Sequence, residues 1–262
     1  MNTELDEPRL EQLERAIAVL RAFDAEHPRL TVSEVAQLTD STRASARRIL
    51  LTFKSLGFMR SDGRHFSLTP RILELGWNYF ASLGVDEIAK PLMRDLVDQV
   101  DESCSMATLD LPDIVYIARV HTRRVMTIGG GIGSRLPAHA TASGLVLLGT
   151  LDDDELDKYL TAPLQTYTQH TTTDPEQLKA VVMTARVRGW ALNDQALEIG
   201  LRGIAVPVHD QSGEVVAALS VSSNSARTTL EDLRDRCLPA LQETARAISA
   251  GLSRGDAREG LA

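Results

Sequence analysis

The sequence predicts a two-domain α+β protein, and three observations lead to that class. Its 262 residues exceed one typical domain. Apolar residues at helical spacing fill the first quarter of the chain. Beyond it, strand-like segments follow one another across links of four or five residues, Asp110–Asp113 and Asp210–Glu214. Links that short join antiparallel strands, because a parallel pair needs a crossover of a dozen residues or more.

Hydrophobic residues make up 43% of the chain and charged residues 24%, a balance that supports a packed core and excludes wholesale disorder. The longest uncharged stretch, Leu136 to Leu151, spans 16 residues and contains Pro137 and His139, too short and too broken for a bilayer. The opening Met1-Asn2-Thr3-Glu4-Leu5-Asp6-Glu7 is acidic and unlike a secretory signal. Cys104 and Cys237 stand far apart, which excludes a disulfide scaffold and a multi-cysteine zinc site. A cytoplasmic protein with no membrane partner, metal or cofactor is expected.

The elements follow in order. Leu10, Leu13, Ile17, Leu20 and Phe23 repeat at helical spacing and predict a first helix ending before Pro28. Thr31-Val32-Ser33-Glu34 is a capping box that opens a short second helix with Val35, Ala36 and Leu38 as its apolar residues. After a turn over Thr39-Asp40-Ser41, Thr42 is placed to cap a third helix reaching about Leu56. At about 100° per residue, Ala46, Ile49, Leu50, Phe53 and Leu56 share one side of it. Arg43, Ala44, Arg47, Arg48 and Lys54 share the other. Phe58 to Leu68 predicts two strands around an Asp62-Gly63 turn.

Net charge is −8, yet its distribution is uneven. Residues 41–72 carry seven basic groups (Arg43, Arg47, Arg48, Lys54, Arg60, Arg64, Arg71) against Asp62 alone. Such a surplus attracts a polyanion even on an acidic chain. A solvated basic face is the bland alternative. Three helices with a short second-to-third turn, a basic outer face and a basic hairpin together describe a winged helix-turn-helix. There the third helix enters the major groove with its N-terminal residues toward base edges, and the hairpin touches phosphates. The DNA-facing candidates are Thr42, Arg43, Ala44, Ser45, Arg47, Arg48 and Arg64.

Thr69-Pro70 starts a helix expected to reach about Leu83. Ile72, Leu75 and Tyr79 form one apolar stripe on it, Leu73, Trp77 and Phe80 another, so a second subunit is expected on one side. A further helix, about Asp86 to Val100, presents Ile88, Leu92, Leu96 and Val100. Strands are predicted at Ser103–Leu109, Ile114–Val120, Val125–Ile128, Trp190–Asn193, Gly203–His209 and Val215–Ser222. Helices are predicted at Thr141–Leu148, Asp153–Leu160, Asp174–Gly189 (capping box Thr173-Asp174-Pro175-Glu176) and Thr229–Leu252. The domains divide as 1–69, a linker helix 70–84, 85–253, and a frayed tail 254–262.

For chemistry, Gly129 to Ser134 lacks the Gly-Lys-Ser/Thr ending of a phosphate loop and reads as a connection or lid. The six histidines show neither H-x-x-x-H nor H-E-x-x-H spacing. Ser143, His139 and Asp194 can be sketched as a nucleophilic triad, but no G-x-S-x-G elbow exists. A ligand pocket fits these residues better. Ala138 to Gly144 leads small residues into a helix start, where backbone N–H groups can meet a carboxylate. Ser220 and Ser222 share a strand face with Ala218, leaving room and hydroxyls for a small polar molecule. The alternative is that both serines merely satisfy neighbouring backbone.

Over about Leu10 to Leu252 the chain resembles the IclR family of bacterial transcriptional regulators. The resembling stretches are Leu13–Leu20, Arg47–Phe53, Leu136–Gly144 and Glu198–Val208. Arg21–Asp24, Ser67–Arg71 and Tyr116–Val120 look most like the branch governing aromatic-acid catabolism through the β-ketoadipate pathway. The resemblance implies a winged-helix domain, a linker helix, a GAF-like effector domain, and dimers or dimers of dimers. It places the effector pocket at Val125, Ile128, Leu136, Ala142, Ser143, Asn193, Gly203, Ser220 and Ser222. Asn193 stands where a member has an acidic residue, with Asp194 beside it, so both are candidates. Asp40 stands where glycine is common. A ligand-responsive regulator binding double-stranded operator DNA and a small carboxylate, most simply an aromatic acid, is the leading reading. A sensor acting only through protein contacts and a serine hydrolase are the alternatives. The three outward arginines speak against the first and the missing elbow against the second.

Overall fold

The computed structural model describes residues 10–76, 85–122 and 130–259. The chain divides into two compact units, Met1–Tyr79 and Phe80–Ala262. In the first, α1 (Glu11–Arg21), α2 (Val32–Leu38) and α3 (Arg43–Ser55) pack with three short strands, β1 (Leu30–Thr31), β2 (Met59–Ser61) and β3 (His65–Leu68). The strands form an antiparallel sheet in the order β1-β3-β2. Sequence reading expected only the β2–β3 pair. Two residues carry no periodicity, and β1 exists through its pairing of Leu30 with Phe66 and Thr31 with His65.

Local chemistry sets the helix starts. Thr31 and Glu34 make the expected capping box, and Thr42 Oγ1 accepts from the Ser45 N–H. Val19, Val35, Ala46, Leu50, Met59 and Phe66 build the core of this unit. The expected stripe of α1 is only partly used. Phe23 is buried and Leu20 half-buried, but Leu10 (73%), Leu13 (60%) and Ile17 (43%) stay exposed. The buried face runs instead through Ala16, Val19, Leu20 and Phe23, rotated from the richest apolar stripe. Leu38 and Leu56, expected inside, are also exposed. Asp40 holds a left-handed backbone, φ 46°, which keeps the helix-turn-helix turn without glycine. The wing loop turns at Gly63, φ 99°.

Thr69 precedes Pro70, but its hydroxyl donates to the Gly57 carbonyl at 2.6 Å rather than capping a helix. Pro70–Leu73 then forms a tight 3₁₀ turn. Trp77, Tyr79 and Phe80, and with them most of the expected linker helix, lie outside the described residues.

In the second unit a π turn (Val85–Ala89) leads into α4 (Lys90–Val100). The sheet consists of β4 (Ser103–Asp110), β5 (Asp113–Val120), β6 (Arg135–Pro137), β7 (Ala191–Asp194), β8 (Leu201–His209) and β9 (Val215–Asn224). Its order is β6-β5-β4-β9-β8-β7 and every pairing is antiparallel, as the short links required. β6 was not expected. The expected strand Val125–Ile128 lies outside the described residues.

α4 and the C-terminal helix cover one face of this sheet. That helix enters through α8 (Leu230–Asp232) and a π turn, then runs as α9 (Leu238–Glu259), past the expected end at Leu252. Cys104, Met106, Leu219 and Val221 point into this layer. On the other face lie α5 (Ala142–Leu148), α6 (Asp153–Thr161) and α7 (Pro175–Arg188), against Ala107, Ala205 and Ala218. α7 starts at Asp174, whose carboxylate accepts from the Gln177 N–H, not through the expected box on Thr173. The alternation of large residues toward α9 and small ones toward α5 leaves space on the second face.

Candidate functional site

Two sites emerge, one in each unit. The first is the outer face of α3. Ala46, Ile49 and Leu50 point inward, which turns Thr42, Arg43, Ala44, Arg47 and Arg48 to the surface, with Ser45 half-buried. Among the described residues no carboxylate pairs with Arg43, Arg47 or Arg48. The acid nearest in sequence on the wing side, Asp62, is already engaged. It accepts from the Arg64 and His65 N–H groups at 3.0 and 2.8 Å and pairs with Arg29. These bonds, the backbone ones first, hold its carboxyl well below the usual range. Arg64 stands exposed at the wing tip.

The second site is a cavity of about 310 Å³ between α5 and the small-residue face of the sheet. Of the sequence-selected residues it brings together Leu136 on β6, Ala142 and Ser143 at the start of α5, Asn193 on β7, Gly203 on β8, and Ser220 and Ser222 on β9. The register explains the grouping: Ser222 is paired with Gly203, which is paired with Asn193. A Cβ at Gly203 would reach only ordinary contact with Ala142 Cβ, at 3.7 Å, so the glycine leaves that part of the cavity wall open without being needed for the helix to approach.

Four expectations change at this point. Asp194 is not in the cavity wall. Strand alternation turns it away, and its carboxylate accepts from Arg202 Nε at 2.6 Å, which lowers its pKa. Asn193 is the inward residue. Its amide donates to the Ala140 carbonyl at 2.9 Å and accepts from the Ala196 N–H at 3.1 Å, and a carboxylate there could not make the first bond. Ser220 donates to the Ser105 carbonyl at 3.3 Å, so one of its hydroxyl functions is taken by backbone. At the start of α5 the Thr141 side chain accepts from the Gly144 N–H at 3.1 Å, which leaves the Ala142 and Ser143 N–H groups as that turn's open donors among the described residues.

The sketched triad does not assemble. His139 Nε2 lies 2.9 Å from the Gln165 carbonyl and Nδ1 3.4 Å from the Tyr159 hydroxyl, while Asp194 is held by Arg202. Val125 and Ile128 lie outside the described residues. The helix start singled out from the sequence brings Ala140 and Thr141 into the cavity wall as well, whereas Tyr116, Leu197, Glu198, Leu201 and Arg202 were missed there. Tyr116 was within reach, two residues from Ile114 on one strand face. Leu197 and Glu198 sit in an irregular loop without a periodic signal. Part of the glycine run is pinned rather than free, the Gly133 N–H donating to the Tyr116 carbonyl at 2.7 Å.

Family models match both units: the IclR helix-turn-helix domain over residues 12–63 and the bacterial transcriptional regulator IclR C-terminal domain over 77–250. The chain belongs to the IclR family. Among its relatives, the Pca regulon regulatory protein of Pseudomonas putida is 42% identical over 90% of this chain and 82% of its own length. The p-hydroxybenzoate hydroxylase transcriptional activator of Acinetobacter baylyi is 34% identical over 90% and 89%. An IclR homologue from Microbacterium hydrocarbonoxydans, solved with 4-hydroxybenzoate, superposes with a TM-score of 0.83 at 26% identity, over 92% and 98% of the two chains. As an IclR-family member this protein is a DNA-binding, effector-responsive transcriptional regulator. Its family and relatives are regulators rather than enzymes. No described helix is long and apolar enough to cross a membrane.

Proposed function

We propose that this regulator controls genes for aromatic-acid catabolism by binding a small aromatic carboxylate in its C-terminal cavity. The observation that carries this reading is the cavity itself. Its volume of about 310 Å³ is at the low end for ligand sites and suits a single ring rather than a nucleotide. Leu136, Ala142 and Gly203 offer apolar contact, while Ser143, Ser222 and the Ala142 and Ser143 N–H groups offer donors for a carboxylate. The 4-hydroxybenzoate complex of a homologue and the names of the two relatives support the same class.

Thr42, Arg43, Ala44, Ser45, Arg47, Arg48 and Arg64 form the DNA-reading set in this proposal, with Arg64 on phosphate. Two copies of the motif in a homodimer, or a dimer of dimers, match a two-fold operator, and the protein works in the cytoplasm. The effector changes DNA binding only if its affinity differs between two conformations of the assembly, since equal affinity shifts nothing. The test is a DNA-shift assay on the promoter regions flanking its own gene, repeated with 4-hydroxybenzoate, protocatechuate and a short aliphatic acid, beside calorimetry on the same protein. Binding of an aromatic acid that alters the shift is expected. If none of the acids binds at millimolar concentration, the pocket assignment falls.

A further inference from the structure

The wing carries an acid where a DNA-facing surface gains nothing from charge of that sign. Asp62 is the one carboxylate between residues 41 and 72, among seven basic groups, and phosphate repels it. Its two oxygens have separate partners. Oδ1 accepts from the Arg64 N–H at 3.0 Å and the His65 N–H at 2.8 Å. Oδ2 pairs with the Arg29 guanidinium, 33 residues earlier in the chain, and lies 3.5 Å from His65 Nδ1. The Oδ1 bonds are ordinary for an aspartate in a turn, and an asparagine would make them without charge. The Oδ2 pair is not local. Arg29 directly precedes β1, so the pair ties the wing turn to the neighbouring strand.

The strands β2 and β3 are three and four residues long, and a hairpin of that size is marginal by itself. Between them the Asp62 N–H donates to the His65 carbonyl at 3.2 Å, the Gly63 N–H donates to Ser61 Oγ at 3.1 Å, and Gly63 takes a φ of 99°. Arg64 follows, its own N–H bonded to Asp62. Its guanidinium pairs with no carboxylate among the described residues. Glu34, which feels the charges of His65 and Arg64, is spent on the Thr31 N–H and hydroxyl. The backbone of the exposed arginine is thus fixed while its side chain stays open to a partner. A group held in place beforehand loses less freedom on binding. Arg29 meanwhile offsets the charge of Asp62.

We propose that Asp62 is a positioning residue for DNA binding: it holds the wing turn in the one shape that brings Arg64 to a backbone phosphate. Its loss therefore weakens binding, where removal of a negative charge would by itself strengthen it. The inference rests on the phosphate role of Arg64 given above and adds what positions that arginine.

The experiment is a DNA-shift titration of the full chain on the promoter fragment flanking its own gene and on an unrelated duplex, each at several salt concentrations. Charge alone predicts that Asp62→Ala binds about twofold tighter, with an unchanged or steeper salt slope. Positioning predicts about tenfold weaker binding to both duplexes, the size of one charge-assisted hydrogen bond, and a salt slope shallower by about one. Asp62→Asn, which keeps the Oδ1 acceptor, should stay within about threefold of wild type. In an Arg64→Ala background, Asp62→Ala should weaken binding by less than about a further twofold, because the contact it positions is already gone. A kept ratio between the two duplexes shows that α3 still docks and the unit is folded. Binding by Asp62→Ala as tight as wild type, or a tenfold loss that persists in the Arg64→Ala background, overturns the inference and leaves the phosphate role of Arg64 standing. A lost ratio overturns it too, since the aspartate then holds the whole unit rather than the wing. Wild-type affinity and salt slope in Arg64→Ala remove the phosphate role and the inference with it.

Discussion

Replacing Gly144 by alanine should destabilise the C-terminal unit, although alanine ordinarily favours a helix. An added Cβ would lie 2.0 Å from the Ala138 carbonyl oxygen and 2.4 Å from Ala138 Cα. Ordinary contact starts near 3.4 Å, so α5 and the turn at Ala138–Ala140 would have to separate by about 1.4 Å. Both obstructing atoms are main chain, and no rotamer change relieves them. Helix propensity works in the opposite direction and returns roughly 1 kcal/mol. Overpacking a closed interior costs about 1–3 kcal/mol, with the upper end expected where backbone must move. The net loss is then about 1–2 kcal/mol. It is read from urea unfolding of the full chain followed by circular dichroism, with the slope checked for constancy. The control is Gly131→Ala, which meets nothing within 4 Å and should stay within about 0.5 kcal/mol of wild type. Because α5 carries Ala142 and Ser143, the Gly144 variant should also weaken effector binding. A Gly144→Ala midpoint at or above wild type would refute the close-approach argument.

Three further outcomes are expected. The Arg43→Ala, Arg47→Ala double variant should lose operator affinity, by about 1–3 kcal/mol for each arginine that reads a base, and show a shallower salt dependence for each one on phosphate. Unchanged shifts across a salt series would remove α3 from the interface. Asp40→Gly should raise stability by about 0.5–1 kcal/mol, because the left-handed backbone at φ 46° costs an L residue more than glycine's extra unfolded-state freedom. A lowered melting midpoint would contradict this. Asp194 has a pKa lowered chiefly by its hydrogen bond to Arg202, so its stabilisation is present above the unfolded value, about 3.9, and is lost as pH falls through the lower folded one. Asp194→Asn should therefore reduce stability at neutral pH and flatten its decline below about pH 4, as followed by unfolding at a series of pH values. A wild-type acid limb in that variant would show that the ion pair is not coupled to folding.

The sequence by itself determined whatever a few neighbouring residues decide. The Thr31–Glu34 box and the Thr42 cap each close within three residues, so spacing alone displays them. The basic outer face of α3 follows from helical period, and the antiparallel sheet from links too short for a crossover. Tertiary structure decided the features that depend on distant partners. β1 and β6 are two and three residues long and exist only because β3 and β5 offer edges to pair with. Leu10, Leu13 and Ile17 stayed exposed because packing chose a different face of α1 from the richest apolar stripe. Asn193 rather than Asp194 turned inward because pairing with Gly203 set its side of the strand. His139 was lost to any catalytic role through Gln165 and Tyr159, 26 and 20 residues away. Tyr116 joined Ser220 and Ser222 in one cavity wall through a sheet order that no local pattern encodes.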